Sequence, residues 1–298
     1  MVQPLIDADV LRYEIGACGE YDEEILDHKG LPTGEKVHHI REFEFVEALL
    51  NGRISDICKD VGATAPPILF LTGSTYAIDL INIQNKYSES PPLVLRQPFR
   101  ELVATIKPYK GTRKEEKPFH FNNLTAYIIG NYDTRVSNGI EADDLICIEQ
   151  WSRREHNDTI ICTRDKDLRM CPGLHFGWEC GLQPSFGPEL VDHKGWLKPD
   201  NKGKIKGVGL KSFFYQMLVG DTVDNIPGCP KVGTVKAMQL LEPCNTKREH
   251  ELAVISAYQK VYPDNYKEMI EEQSKLLWMI RELNEDGSPV FYEWKYDD

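Results

Sequence analysis

Three short apolar runs set the strongest limit on how this chain folds: Pro4-Leu-Ile-Asp7, Pro67-Ile-Leu-Phe-Leu-Thr72 and Thr159-Ile-Ile-Cys-Thr163. Each has the length of a strand and is apolar without alternation, the pattern of a strand covered on both faces. Helical spacing fills the intervals. Glu42–Leu50 is expected to form a helix stopped by Asn51-Gly52, Asn122–Gly130 a second, and Ala142–Glu155 a third with Leu145, Ile148 and Trp151 on one face. Residues 77–98 read as irregular, with the clearest loop at Ser88–Pro92. Strands alternating with helices predict an α/β protein built on a mainly parallel sheet flanked by helices. After the Gly- and Lys-rich Asn201–Gly209 stretch the pattern turns helical, at Leu210–Gly220, Gly233–Leu241, Lys247–Tyr262 and Tyr266–Leu283. The expected division is therefore an α/β domain over 1–205 and a helical region over 206–298.

With 298 residues the chain can bury a sizeable core. No stretch approaches a membrane span, and Met1-Val-Gln-Pro leads straight into a strand without a basic, apolar leader. The eight cysteines are scattered without a C-x-x-C pair, as expected of reduced thiols in a cytoplasmic protein. Cys171, His175 and Cys180 match no common zinc-finger spacing. A net charge of −12 runs against a nucleic-acid partner. Two segments oppose that average: seven Lys/Arg against three Glu between Leu93 and Lys117, and six Lys against one Asp between Lys194 and Lys211. Such runs are usually solvated faces.

Acidic residues gather at the ends of the predicted elements. Asp7 closes the first strand, Glu141-Ala-Asp143-Asp144 opens a helix, and Thr163-Arg-Asp165-Lys-Asp167 follows the third strand. Asp221 and Asp224 stand three apart, one helical turn, before the break at Pro227-Gly228. In a parallel sheet the C-terminal strand ends and helix N-termini meet on one edge, where ligands bind. Taken singly, Asp143 and Asp144 read as acids favoured by a helix dipole, and Asp165 and Asp167 as loop residues. Together on one edge they would repel one another unless cations filled the space between them. Oxygen donors of this kind suit Mg²⁺ or Mn²⁺, and two such ions roughly 4 Å apart serve in-line phosphodiester displacement.

A basic counterpart lies in Phe99-Arg100 and Pro108-Tyr109-Lys110-Gly-Thr-Arg113-Lys114. Lys110 can stabilise charge on a scissile phosphate, Arg100, Arg113 and Lys114 can grip neighbouring phosphates, and Tyr109 offers a face to an unstacked base. The turn Gly228-Cys-Pro-Lys231-Val-Gly233 opens onto an apolar-periodic helix carrying Lys236. Backbone N–H groups at such a helix start form a phosphate site.

The ordered series Phe99-Arg100, Pro108–Arg113, Glu141–Asp144, Thr163–Asp167 and Gly220-Asp-Thr-Val-Asp-Asn-Ile-Pro-Gly228 resembles the 5′-nuclease (flap endonuclease) superfamily. The nearest likeness is to bacteriophage 5′-3′ exonucleases and the 5′-nuclease domain of bacterial DNA polymerase I. The resemblance implies a PIN-like α/β domain with a helix–three-turn–helix module near Leu210–Leu241. It implies a two-metal cluster of Asp7, Glu141, Asp143, Asp144, Asp165, Asp167, Asp221 and Asp224, with Lys110, Arg113 and Asp165 in the chemistry. Arg100, Tyr109, Lys110, Arg113, Lys114, Gly228, Lys231, Gly233 and Lys236 would contact DNA, and K⁺ would sit at the 228–233 turn. Three departures stand out. Leu71-Thr72-Gly73 offers no acid where many members have one, residues 77–96 look inserted, and the segment from Arg113 to Glu141 is short for a helical arch.

The expected activity is Mg²⁺-dependent cleavage of DNA at a 5′ end or 5′ flap, with RNA in an RNA–DNA hybrid as a further substrate and replication proteins as partners. If the source is viral, the site of action is the host cytoplasm. A PIN-type ribonuclease acting on single-stranded RNA and a catalytically inactive DNA-binding accessory are the alternatives.

Overall fold

The computed structural model describes residues 2–88, 90–113 and 116–296. In chain order the elements are β1 (Gln3–Asp7), α1 (Ala8–Cys18), β2 (Glu20–Leu26), β3 (Pro32–Ile40), α2 (Phe43–Asp60), β4 (Ile68–Leu71), α3 (Thr75–Gln84), α4 (Phe99–Val103), α5 (Phe121–Asn131), β5 (Asp133–Val136) and α6 (Ala142–Ser152). Then come β6 (Thr159–Cys162), a 3₁₀ turn at Asp167–Met170, β7 (Gly173–Gly177), β8 (Phe186–Val191), β9 (Trp196–Pro199) and β10 (Ile205–Val208). Helices α7 (Gly209–Val219), α8 (Thr234–Leu241), α9 (Lys247–Val261) and α10 (Tyr266–Leu277) follow.

The central sheet has the order β5-β4-β1-β6-β7-β8; its first five strands run parallel and β8 is antiparallel at the edge. The three apolar runs of the sequence are three adjacent interior strands, β4, β1 and β6. Leu5 pairs with Ile68 on one side and Ile161 on the other. Successive side chains point to opposite faces of a strand, so the middle strands feed two cores. Ile6, Leu69, Leu71, Ile160 and Cys162 pack with α1, α2 and α5. Leu5, Ile68, Phe70 and Ile161 pack with α6 and α7, and this cluster continues through α9, α10, Trp278, Tyr292 and Trp294. Leu5 and Ile6 are fully buried, and truncating either to Ala would cost about 2–5 kcal/mol.

Several expectations are corrected. Helix α2 runs through Asn51-Gly52, because Ile54 and Ile57 prolong the buried stripe begun by Val46 and Leu50; the chain turns only at Gly62, whose φ is +61°. Within 77–98, residues to Gln84 form α3, capped by the Ser74 hydroxyl accepting the Ala77 N–H and anchored by buried Ala77 and Ile78. Helix α6 ends at Ser152, short of Glu155; it buries Ala142, Asp144, Ile146, Cys147 and Gln150, with Leu145 and Ile148 partly buried against the same core. The last helix ends at Leu277, short of Leu283. The β2–β3 and β9–β10 hairpins were not foreseen. Among the described residues no helix is long and apolar enough to cross a membrane.

Candidate active site

Asp7 ends β1 and caps α1, accepting the Val10 N–H at 3.2 Å. Its second oxygen accepts the Thr163 hydroxyl at 2.7 Å, at the end of the neighbouring strand β6. The same hydroxyl accepts the Asp165 N–H at 2.9 Å, and an Asp165 oxygen accepts the Asp167 N–H at 2.8 Å. The pairing of β1 with β6 thus places Asp7 and Asp165 around one shared threonine. Glu141 caps α6 and makes a reciprocal capping box with Asp144, while the Ala142 N–H donates to Thr72 Oγ1 beyond β4. Carboxylates from two strand ends and a helix start therefore meet on one edge.

Two kinds of acid share this edge. Asp144 is fully buried and takes both guanidinium arms of Arg100, at 2.5 and 2.8 Å, together with the Ile280 N–H at 3.0 Å. Arg100 also reaches Glu141 at 3.1 Å and the carbonyls of Leu276 and Trp278. Glu141 further bonds Lys110 Nζ and, at 2.9 Å, the Tyr109 hydroxyl. Asp224 takes Arg113 at 2.6 Å and Tyr109 at 3.1 Å. Asp221 takes Lys166 at 2.5 Å, and the same ammonium touches Asp167 at 3.0 Å. Burial pushes Glu141 upward, yet Arg100 and Lys110 pull harder and hold it below the usual range; Lys166 does the same for Asp221.

Asp7, Asp143 and Asp165 have no such partner: among the described residues none is in an ion pair. Burial and then Asp9 and Asp165 raise Asp7 to about 7. Burial, Asp7, Asp165 and Glu141 push Asp143 well up, and burial with Asp224 raises Asp165. Asp167 also rises to about 7, through burial and Asp165, against the pull of Lys166. As oxygen donors short of positive charge these groups fit a hard divalent cation. As they stand, though, no three His, Cys, Asp or Glu among the described residues close into a metal-holding set.

The basic residues fare unequally. Lys110, at φ +52°, donates its backbone N–H to the Asp224 carbonyl at 3.0 Å, which ties the 108–113 turn to the 221–226 loop. Its ammonium lies 4.9 Å over the half-buried Tyr109 ring, so that face is not open to a base. Arg113 remains exposed, and Lys114 lies outside the described residues. Arg100, expected at a phosphate, is wholly buried with its donors spent on Asp144, Glu141 and two carbonyls; it organises the acids from below. Gly228 is also buried, its N–H donated to Gln273 Oε1 at 3.0 Å, so it is no phosphate donor. Lys231, Gly233 and Lys236 are exposed at the start of α8.

The 221–226 loop is pinched shut by backbone bonds in both directions between Asp221 and Ile226. Gly220 and Gly228 flank the pinch with φ of +76° and +67°; a Cβ on Gly220 would lie 2.2 Å from the Ile226 carbonyl, and one on Gly228 2.3 Å from the Gly220 nitrogen. Only glycine permits this crossing.

Asp9 was missed. It takes the Thr72 N–H at 3.1 Å and pairs with Arg12, so a carboxylate stands beside Thr72-Gly73 in space although none stands there in the chain. The signal was the spacing Asp7-Ala-Asp9, two residues past a strand end. His175 Nε2 bonds the Cys171 carbonyl at 2.7 Å in the core.

Fold and site together define a mainly parallel α/β protein with an acidic cluster at the strand ends, faced by a lysine and an arginine. No family model matches the chain. It is similar to DNA polymerase I of Bacillus subtilis, 26% identical over 231 residues, covering 71% of this chain and 24% of the relative. A second relative, DNA polymerase I of Bacillus caldotenax, is 25% identical over 189 residues, covering 59% of this chain and 20% of the relative. The chain thus spans about a quarter or less of these relatives. Among solved structures, the T5 D15 protein co-crystallised with metal ions aligns at a TM-score of 0.45 and 11% identity, over 93% of this chain and all of that one. The likeness to DNA polymerase I agrees with the motif series, and the chain resembles the 5′-nuclease superfamily.

Proposed function

We propose that this chain is a metal-dependent 5′-nuclease that hydrolyses DNA phosphodiesters from a 5′ end or at a 5′ flap, leaving a 5′-phosphate. The observation that carries the reading is the trio Asp7, Asp143 and Asp165, gathered at the strand ends with none of them in an ion pair among the described residues and each pushed upward chiefly by burial. A buried cluster of that kind is costly unless a ligand neutralises it.

Asp7, Asp143 and Asp165 would hold divalent cations, Mg²⁺ or Mn²⁺, with Asp167 and Asp221 behind them and Lys166 between those two. Such cations supply Lewis-acid polarisation of the phosphate and lower the pKa of water. The protein's own groups do the rest. Glu141 keeps Lys110 charged and fixes its ammonium at the cleft, where it meets charge building on the phosphate oxygens. Arg113, on Asp224, holds the adjacent phosphate. Tyr109 braces Glu141 and Asp224. The exposed start of α8, with Lys231, Gly233 and Lys236, takes the duplex backbone as the second arm of a helix–three-turn–helix, and K⁺ would sit at that turn. RNA in an RNA–DNA hybrid is a further substrate in this reading, and replication proteins are its partners.

The test is a 5′-end-labelled flap duplex and its nicked counterpart, incubated with Mg²⁺ or with chelator. Shortened products bearing 5′-phosphate, formed with Mg²⁺ alone, are expected. No cleavage of DNA with Mg²⁺ or Mn²⁺ sinks the proposal, and cleavage confined to single-stranded RNA would make the chain a ribonuclease.

A further inference from the structure

The geometry points to a second nucleic-acid contact, on the outward face of the β9–β10 hairpin, where three lysines are set to hold the sugar-phosphate backbone of duplex DNA beyond the cleft. In the antiparallel register Lys198 stands directly opposite Lys206, and Trp196 opposite Val208. Directly paired residues share a face, as do residues two apart along a strand, so Trp196, Lys198, Lys206 and the buried Val208 lie on one face, which is open at its lysine end with Lys204 beyond. The other face packs inward: a Cβ on Gly207 would lie 2.6 Å from Leu197 and 3.1 Å from the Ser212 hydroxyl of α7. Lys198, Lys204 and Lys206 are exposed, and none forms an ion pair among the described residues.

Like charges placed opposite each other destabilise a hairpin, and the fold offsets this pair only in part, through the Trp196 ring 5.2 Å under the Lys198 ammonium and the charge of Asp200 near Lys206. The hairpin's one acid, Asp200, turns its carboxylate into the loop, accepting the Lys202 and Lys204 N–H groups at 2.9 Å each. In a chain of net charge −12, an unpaired row of lysines beside a partly exposed tryptophan is suited to an external polyanion. Its position favours DNA over other anions. The hairpin packs on the 3₁₀ turn that carries Asp167 and on α7, whose Gln216 donates to Asp167 at 2.6 Å. Arg169 of that turn lies 5.8 Å over the Trp196 ring, with its charge matched by Glu189. A duplex seated in the cleft can extend along this face. The inference rests on the nuclease reading.

The experiment measures binding of a fluorescent, sequence-scrambled duplex to the full chain in chelator across a range of salt. The triple variant Lys198→Ala/Lys204→Ala/Lys206→Ala should lose about three from the slope of log affinity against log salt, roughly one per phosphate contact. The triple Lys→Arg variant should keep the wild-type slope, and cleavage at saturating substrate should be unchanged in both. An unchanged slope in the alanine variant, with wild-type binding and cleavage intact, overturns this proposal alone. A wild-type chain that neither binds nor cuts duplex DNA overturns the nuclease reading with it. Preference for anionic lipid vesicles over duplex also rejects the hairpin as a DNA contact.

Discussion

The two halves of the acidic cleft are made of the same residue types and behave oppositely. Glu141, Asp144, Asp221 and Asp224 are each matched to Arg100, Lys110, Lys166 or Arg113, and Glu141 and Asp221 sit below the usual carboxylate range. Asp7, Asp143 and Asp165, side by side with them, stand outside any ion pair among the described residues and rise, burial being the first cause for each. Count of carboxylates therefore says little about where a cation would go; what matters is which of them the protein has left unmatched. The matched half forms a fixed frame, and the unmatched half is the part free to take a ligand.

The largest test of that contrast is Asp165→Asn. Turnover should fall by roughly three powers of ten or more, the scale for losing a charge that organises developing charge, while DNA affinity in chelator stays the same or rises. An active Asp165→Asn chain would remove Asp165 from the working half. Arg100→Leu attacks the frame instead. Leaving Asp144 buried and unpaired should cost about 3–5 kcal/mol of stability, read from urea unfolding; a loss below 1 kcal/mol would show that the frame does not depend on it. Lys110→Ala lies on the boundary, and single-turnover cleavage should slow by roughly two to three powers of ten with little change in fold stability.

A pH reference comes from outside both halves. His175 is sealed in the core with Nδ1 unpartnered, and burial lowers it to about 4. A group whose folded pKa lies below its unfolded value stays neutral in the fold while the unfolded chain takes up a proton. Stability is thus lost as pH falls from about 6.5 to about 4, by about 3 kcal/mol. Wild type should lose that much more than His175→Gln on acidification; equal losses would contradict it. The smallest effect is stabilisation by Mg²⁺, about 2.7 kcal/mol at a hundredfold excess over its dissociation constant. Thermal melting should show this shift in wild type and lose it in Asp7→Asn. A shift that survives Asp7→Asn would place the ion elsewhere.

Much of this was legible in the chain, for reasons that differ by element. Strands β1, β4 and β6 announce themselves because burial on both faces leaves no polar position to confuse the run. The acids were readable because they fall at strand ends and helix starts. The β2 strand, Glu20-Tyr-Asp-Glu-Glu-Ile-Leu, is exposed along nearly its whole length, so no alternation marks it. Asn51-Gly52 misled because a stop signal is weak against an apolar stripe that continues past it. The division of the acids into matched and unmatched was not readable at all. Arg100 meets Asp144 across 44 residues, and a basic residue bound for the interior looks, in sequence, like one bound for a phosphate.

The glycine crossing at 220 and 228 carries a mechanical consequence. It leaves the short loop with Asp221 and Asp224 almost no slack between the end of α7 and the turn that opens α8. Arg113, Tyr109 and Lys166 hang from those two carboxylates, so a load placed on α8 is handed to the cleft without a hinge to absorb it.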